Sequence, residues 1–142
     1  REIDSANIKA FVRIKRQGGG TDLFRRIFVA GGALDLSLFL SHFEEELSGF
    51  AQALAYTAYG STVEAALLTI ATGNLGALEK EFDDFRIEQI QKAKFIPFGV
   101  EPIVAYMVAK ENDIKTARII LAGKAANLPS ERIAEKVRKT YV

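Results

Sequence analysis

The 142-residue sequence contains no cysteine, no tryptophan, one histidine and one methionine. The missing cysteines exclude disulfides, thiolate nucleophiles and sulfur-ligated metal, and they fit a reducing compartment. A lone His42 without a cysteine partner does not make a zinc site, and it reads as an ordinary surface or boundary histidine. Proline is scarce, at three residues, so few helices are forced to break. No apolar run reaches the roughly 20 residues of a membrane span, and no signal peptide is visible. The first residue is Arg1, already inside a helix-like pattern, so the chain is expected to be a piece of a longer protein.

What is present is apolar: 49% of residues are hydrophobic, enough for a real core. The net charge of +1 gives no bulk attraction to nucleic acid or membrane. The total hides a division. Residues 1–30 carry seven Lys/Arg against three Asp/Glu, residues 31–90 two against ten, and residues 91–142 ten against five. Solvated helix faces explain most of this; separate surfaces for separate partners are the sharper reading.

Helical periodicity recurs and no strand pattern appears, so an all-α fold of seven or eight helices is expected. Arg1–Gln17 is a helix with Ile8, Phe11, Val12 and Ile14 inward, ended by Gly18-Gly19-Gly20. That glycine run lacks the Lys-Ser/Thr of a phosphate loop and reads as a linker. Thr21 is an N-cap for a short helix through Phe28. Asp35 caps a helix whose stripe Leu36, Phe39, Leu40, Phe43 and Leu47 is the strongest in the chain, with Glu44–Glu46 as its wet end. Ser48–Tyr59 forms another apolar helix. Ser61 and Glu64 make a capping box opening Val63–Ala71, which ends at Gly73. Asn74 caps Leu75–Lys94, with Leu78, Phe82 and Phe85 inside and Glu79, Glu81, Asp83, Asp84 and Glu88 wet. That acidic cluster lacks the spacing of a calcium loop. Pro129 starts a short basic helix over Ser130–Lys139, with Ile133 and Val137 inward.

The organising stretch is Phe98–Lys124. Pro102 suits the first helical position and Gly123 a left-handed end. Ile103, Met107, Ile114, Ala117 and Leu121 fall on one face, and the polar island Lys110-Glu111-Asn112-Asp113 interrupts the apolar run. Either one long helix is wet at its middle, or two helices meet there. Within the island Glu111 can pair with Lys115 at i, i+4.

Glu101-Pro102, Tyr106, Lys110-Glu111, Asp113, Thr116, Arg118 and Gly123-Lys124 together resemble the signature of the C subunit of V-type and A-type rotary ATPases, similar to the d subunit of vacuolar enzymes. The usual Lys-Glu-x-Glu-x-x-Asn-x-Arg carries Asp113 and Thr116 here in place of Glu and Asn. Sliding the chain by 109 residues sets Glu2, Asp4, Asn7, Lys9 and Lys15 on Glu111, Asp113, Thr116, Arg118 and Lys124. This reads as an internal repeat. The resemblance implies three such helical units about a pseudo-threefold axis. Residues 1–30 would then belong to the second unit and 31–142 to the third.

The resemblance further implies a non-catalytic rotor subunit in a proton- or sodium-translocating complex. Such a subunit links the central D–F shaft to the membrane ring of proteolipid (K or c) subunits. It would sit peripherally on the cytoplasmic face, with no cofactor, metal, catalytic residue, nucleic acid or small-molecule substrate. The signature polar residues are expected to tie helices together within a unit. Arg25, Arg26, Lys136, Arg138 and Lys139, with Lys15 and Arg16, are candidate partner contacts. A helical enzyme or a nucleic-acid-binding module using the basic ends is the alternative.

Overall fold

The computed structural model describes residues 1–70 and 75–141. It is all-helical, with no strand among the described residues. In order come α1 (Glu2–Arg16), α2 (Thr21–Ile27), α3 (Leu36–Ser41), α4 (Leu47–Leu54), α5 (Gly60–Ile70) and α6 (Leu75–Gln91). A 3-10 turn (Lys92–Phe95), α7 (Glu101–Ala125) and α8 (Ser130–Ala134) follow. Gly73 and Asn74, read above as a helix stop and a cap, lie outside the described residues. The chain divides into two compact units, Arg1–Leu78 and Glu79–Val142.

In the first unit α1 packs on α2 and α4 on α5. Phe11 stands at the centre of an aromatic cluster, with ring centroids of Phe24, Phe39, Phe43 and Phe50 at 5.6, 5.6, 5.5 and 4.3 Å. Ile8, Phe11 and Val12 are fully buried and Ile14 nearly so, as the α1 spacing predicts. Gly20 rather than Thr21 occupies the α2 N-cap, and Asp35 holds the α3 N-cap position without a side-chain capping bond.

The stripe from Leu36 to Leu47 does not lie on one helix. Phe39 and Phe43 are buried as expected, but α3 stops at Ser41 and Leu47 opens α4. The break has a local cause. Lys15 Nζ donates to the carbonyls of His42 and Phe43 (2.9 and 2.6 Å) and of Glu45, and those carbonyls are therefore not carrying a helix forward. The apolar run of Ser48–Tyr59 is also cut short. Thr57 donates its hydroxyl to the Leu54 carbonyl (2.7 Å) and accepts the Tyr59 N–H (3.2 Å), closing α4 by side-chain competition with the backbone. α5 then begins at Gly60, ahead of Ser61, whose position inside the helix is not that of a cap.

In the second unit Phe82, Phe85 and Ile87 are buried on α6. Asp84 is not wet: it is only 4% exposed, while Glu79, Glu81 and Asp83 are half-buried and Glu88 alone is exposed. α7 is one continuous helix through the polar island, with Pro102 in its first turn. Its buried residues are Ala105, Val108, Ala109, Asn112 and Gly123. The apolar face read from the sequence is the other one, and it points outward: Ile103, Met107, Ile114 and Leu121 are 60%, 61%, 52% and 68% exposed.

Two corners of the fold share one construction. α1 ends with the Gly19 N–H bonded to the Ile14 carbonyl (2.9 Å) and the Gly18 N–H to Lys15 (3.3 Å). α7 ends with Leu128 bonded to Gly123 (2.9 Å) and Asn127 to Lys124 (3.0 Å). Both are Schellman closures. The left-handed residue is Gly18 at φ 70° in one and Asn127 at φ 52° in the other, asparagine being the non-glycine residue that tolerates it. The offset is 109 residues throughout. Thr21 and Ser130 then start the next helices, and Phe24 and Ile133 are buried at equivalent places.

Gly123 therefore serves a different purpose from the left-handed end expected of it. A Cβ there would lie 2.7 Å from Ile133 Cγ1, so glycine is what lets α8 approach α7. Gly123→Ala should lose about 1 kcal/mol in urea melts, overpacking outweighing alanine's better helix propensity. Gly20→Ala, where a Cβ meets nothing within 4 Å, should be near neutral. Equal effects of the two substitutions would contradict the close approach.

Candidate functional site

Each unit carries a set of polar side chains aimed at its own backbone. In the first, Asp4 is fully buried on α1. Its Oδ1 accepts the Leu34 N–H (3.0 Å) and its Oδ2 the Tyr59 hydroxyl (2.8 Å). Burial disfavours the Asp4 carboxylate. Bonds from Leu34, Tyr59 and Ala33 outweigh that and hold its pKa below the usual 3.8. The same contact acts oppositely on Tyr59, where burial and the adjacent Asp4 push the phenol well above its usual range.

One turn along α1, Asn7 grips a single residue from both sides. Its Nδ2 donates to the Val29 carbonyl (2.8 Å) and its Oδ1 accepts the Val29 N–H (3.0 Å). An amide is the side chain that offers donor and acceptor together. Lys15 completes the row by holding the α3–α4 loop. Burial lowers its pKa, opposed by Glu44 and Glu45. Asp4, Asn7 and Lys15 thus fasten to α1 the three segments that follow it.

The second unit does the same work with different residues. Asn112 Nδ2 donates to the Lys139 carbonyl (2.7 Å), and Asp84 Oδ1 accepts the Lys139 N–H (2.6 Å). Asp84 is held in turn by Lys80 (2.8 Å). Asp83 receives Arg138 Nε at 3.1 Å and Lys115 at 3.2 Å. The Lys139 ammonium meets Glu88, whose hydrogen bond and charge raise its pKa. These bonds pin the segment after α8, which is why that helix stops at Ala134 instead of running on to Lys139.

The signature residues on α7 are spread over several environments. Glu101, Tyr106, Lys110, Glu111, Asp113, Arg118 and Lys124 are exposed, Pro102 and Thr116 half-buried, and Gly123 buried. Lys110 lies 3.6 Å from Asp113 and 5.6 Å from the centre of the Tyr106 ring. Glu111 and Lys115 do not pair with each other. Glu111 meets Arg86 on α6 at 3.4 Å, and Lys115 meets Asp83. Cross-helix partners win because exposed i, i+4 pairs contribute only a few tenths of a kcal/mol.

Of the repeat equivalents, Asp4 and Asn7 are buried, Lys9 and Lys15 half-buried and Glu2 exposed. Asp4 and Asp113 therefore sit in different surroundings. The Thr116 hydroxyl is buried without a hydrogen-bond partner. A hydroxyl on that short side chain does not grip a peptide from both sides, and Asn112 with Asp84 supplies the grip. Asn112 and Tyr59 were not singled out from the sequence. A polar residue at the core-facing spacing of Val108 and Ala109 was the available signal for Asn112.

Arg25, Arg26, Lys136 and Lys139 are exposed, whereas Arg138 is largely buried against Asp83. His42 closes α3, its Nδ1 lying 2.8 Å from the Leu38 carbonyl. No group of His, Asp and Glu suited to a metal occurs among the described residues, and no described helix is long and apolar enough to cross a membrane. Among the described residues the buried carboxylates and amides are all engaged with backbone, an arrangement that positions segments.

A family model described as ATP synthase (C/AC39) subunit matches residues 1–136. The chain is 27% identical over 139 residues to the C subunit of the V-type sodium ATPase of Enterococcus hirae, covering 98% of this chain and 42% of that protein. It is 30% identical over 141 residues to the C subunit of the A-type ATP synthase of Methanococcoides burtonii, covering 96% and 38%. Against the C subunit of the A-type ATP synthase of Methanocaldococcus jannaschii it is 30% identical over 135 residues, covering 92% and 34%. The chain thus spans about two fifths of the length of these curated relatives. No solved structure matches it.

Proposed function

This chain belongs to the family of ATP synthase (C/AC39) subunits, and on that premise we propose that it is a non-catalytic part of the rotor of a V/A-type ATPase. In that role it links the D–F shaft to the ring of proteolipid subunits at the cytoplasmic face of the membrane. The observation that carries the reading is the match across residues 1–136, reinforced by relatives that are all C subunits of such complexes. The internal chemistry agrees with it. Asp4, Asn7, Asp84 and Asn112 fasten backbone to backbone, as a torque-bearing element requires. The duplicated corner at a 109-residue offset supports the internal repeat; a repeat boundary near residue 30 falls inside the first compact unit, Arg1–Leu78.

Partner contact falls to exposed charge. Arg25 and Arg26 on α2, with Lys136 and Lys139, present cations that complementary fields on a shaft or ring would orient. Charge reversal at Arg25 and Arg26 in the full-length protein should weaken binding to the D–F shaft or to the detergent-solubilised ring, with helicity unchanged. Pull-down at two salt concentrations reads the result. An intact protein that binds neither component at low salt would sink the rotor assignment.

A further inference from the structure

We propose that Asp84, Glu88 and Gln91 of α6, with Asn112 of α7, form a track for an extended basic peptide, and that residues 136–141 are a displaceable strap lying in it; the proposal does not depend on the rotor reading. The observation is how the strap is held. Both main-chain groups of Lys139 are taken: its N–H by Asp84 Oδ1 (2.6 Å) and its carbonyl by Asn112 Nδ2 (2.7 Å). Gln91 Nε2 donates to the carbonyls of Thr140 and Tyr141 (3.1 and 3.4 Å). Contacts to the main chain accept any extended segment, as peptide-binding clefts do. Asp84, Glu88 and Gln91 recur at i, i+4 and i+7, so one face of α6 supplies them. Asp84 to Gln91 covers about 10 Å of helix, and extended chain from Arg138 to Tyr141 covers about the same.

The charges choose the occupant. Arg138 Nε meets Asp83 at 3.1 Å, and the Lys139 ammonium meets Glu88. Lys94 Nζ lies 4.7 Å from the centre of the Tyr141 ring. The track therefore fits a pair of basic residues followed, two places on, by an aromatic one that takes a cation on its face. An acidic segment would set its carboxylates against Asp83 and Glu88.

The strap can leave without dismantling the unit. Beyond Ile133 no described side chain is buried: Val137, Arg138 and Tyr141 are half-buried, and Lys136, Lys139 and Thr140 are exposed. Little apolar area is lost on release, which is the property of segments that open locally. The acids stay positioned when it leaves, because Lys80 holds Asp84 (2.8 Å) and Lys115 holds Asp83 (3.2 Å). Tethering gives the strap an effective concentration on the order of millimolar, so it occupies the track until a competing peptide displaces it.

Lys139→Pro in the full chain tests the track, since proline has no N–H for Asp84 and the strap then loses its central bond. A fluorescent peptide with the sequence of residues 136–141 should bind this variant about tenfold more tightly than it binds the unsubstituted chain, read by anisotropy at low salt. Adding Glu88→Lys should weaken that binding about fivefold, and a peptide with glutamate in place of Lys139 should recover it. In the unsubstituted chain, excess peptide should speed hydrogen exchange across residues 137–141, a readout that decides the question even where the proline variant loses helicity. The proposal would be overturned by an opened variant of unchanged helicity that binds no peptide, by binding indifferent to the charge exchange at Glu88, or by exchange across residues 137–141 that excess peptide leaves unaltered.

Discussion

Phe11→Ala is expected to destabilise the first unit by about 3–5 kcal/mol, a figure typical of emptying a fully enclosed aromatic site. Phe11 is fully buried, and four other rings lie with their centroids within 5.6 Å of its own. Those rings come from α2, α3, the α3–α4 loop and α4, so none of the four segments can collapse into the space without moving the others. Edge-to-face and tilted pairs add a little beyond buried area, about 0.5–1.5 kcal/mol each. Urea unfolding followed by far-ultraviolet dichroism gives the number. Phe98→Ala is the companion measurement. Phe98 is 87% exposed, and its loss should change stability by less than about 0.5 kcal/mol. A Phe11→Ala effect below about 1 kcal/mol would mean that the cluster is not the organising core.

The same cluster shows what the sequence made legible. Ile8, Phe11 and Val12 could be placed inward because α1 has an unambiguous amphipathic pattern. Phe39, Phe43, Phe82 and Phe85 could be placed by the same spacing, and all four are buried. Periodicity failed where long-range polar contacts decide. Nothing local to Leu36–Leu47 announces that Lys15 will hold the carbonyls of His42, Phe43 and Glu45 and divide the stripe between two helices. Nothing local to the Glu79–Asp84 run distinguishes Asp84, which Lys139 and Lys80 draw inside, from its half-buried neighbours. On α7 the period was right, but the pattern is apolar on both sides. Bulk pointed to Ile103, Met107, Ile114 and Leu121, while the structure buries the small residues opposite them.

The signature positions divide along the same line. Glu101-Pro102 opens a helix, and that end is legible because proline in a first turn has fixed residue chemistry; the far end is closed by Asn127 rather than by Gly123, which the approach of Ile133 requires instead. The roles of Asp113 and Thr116 were not legible. The 109-residue slide aligns them with Asp4 and Asn7, yet the peptide grip in the second unit is made by Asn112 and Asp84. At Thr116 the hydroxyl is buried without a hydrogen-bond partner and makes no two-sided bond to a peptide. A neighbouring turn of the same helix, together with a carboxylate from α6, provides it instead.

Asp4 gives the other large effect, and one that depends on pH. Asp4→Ala would strand two donors, the Leu34 N–H and the Tyr59 hydroxyl, in a site from which water is excluded. Leaving a buried donor unsatisfied costs about 1–3 kcal/mol, so the loss at pH 7 should be about 2–5 kcal/mol. The pH dependence follows from the direction of the shift. The folded-state pKa lies below the usual 3.8, so the folded protein binds fewer protons at this group than the unfolded chain does near that pH. Its contribution is fully present above the unfolded value and is lost as pH falls through the folded one. The wild-type chain should therefore lose stability as the pH is lowered from about 5 toward 2. Asp4→Asn keeps the size of the side chain and one carbonyl acceptor but cannot ionise. It should start less stable at pH 7 and show a shallower decline over the same range. Urea midpoints of the two proteins at pH 7, 5, 4 and 3 make the comparison. Parallel acid profiles would show that Asp4 does not carry the acid sensitivity and acts through its hydrogen bonds alone.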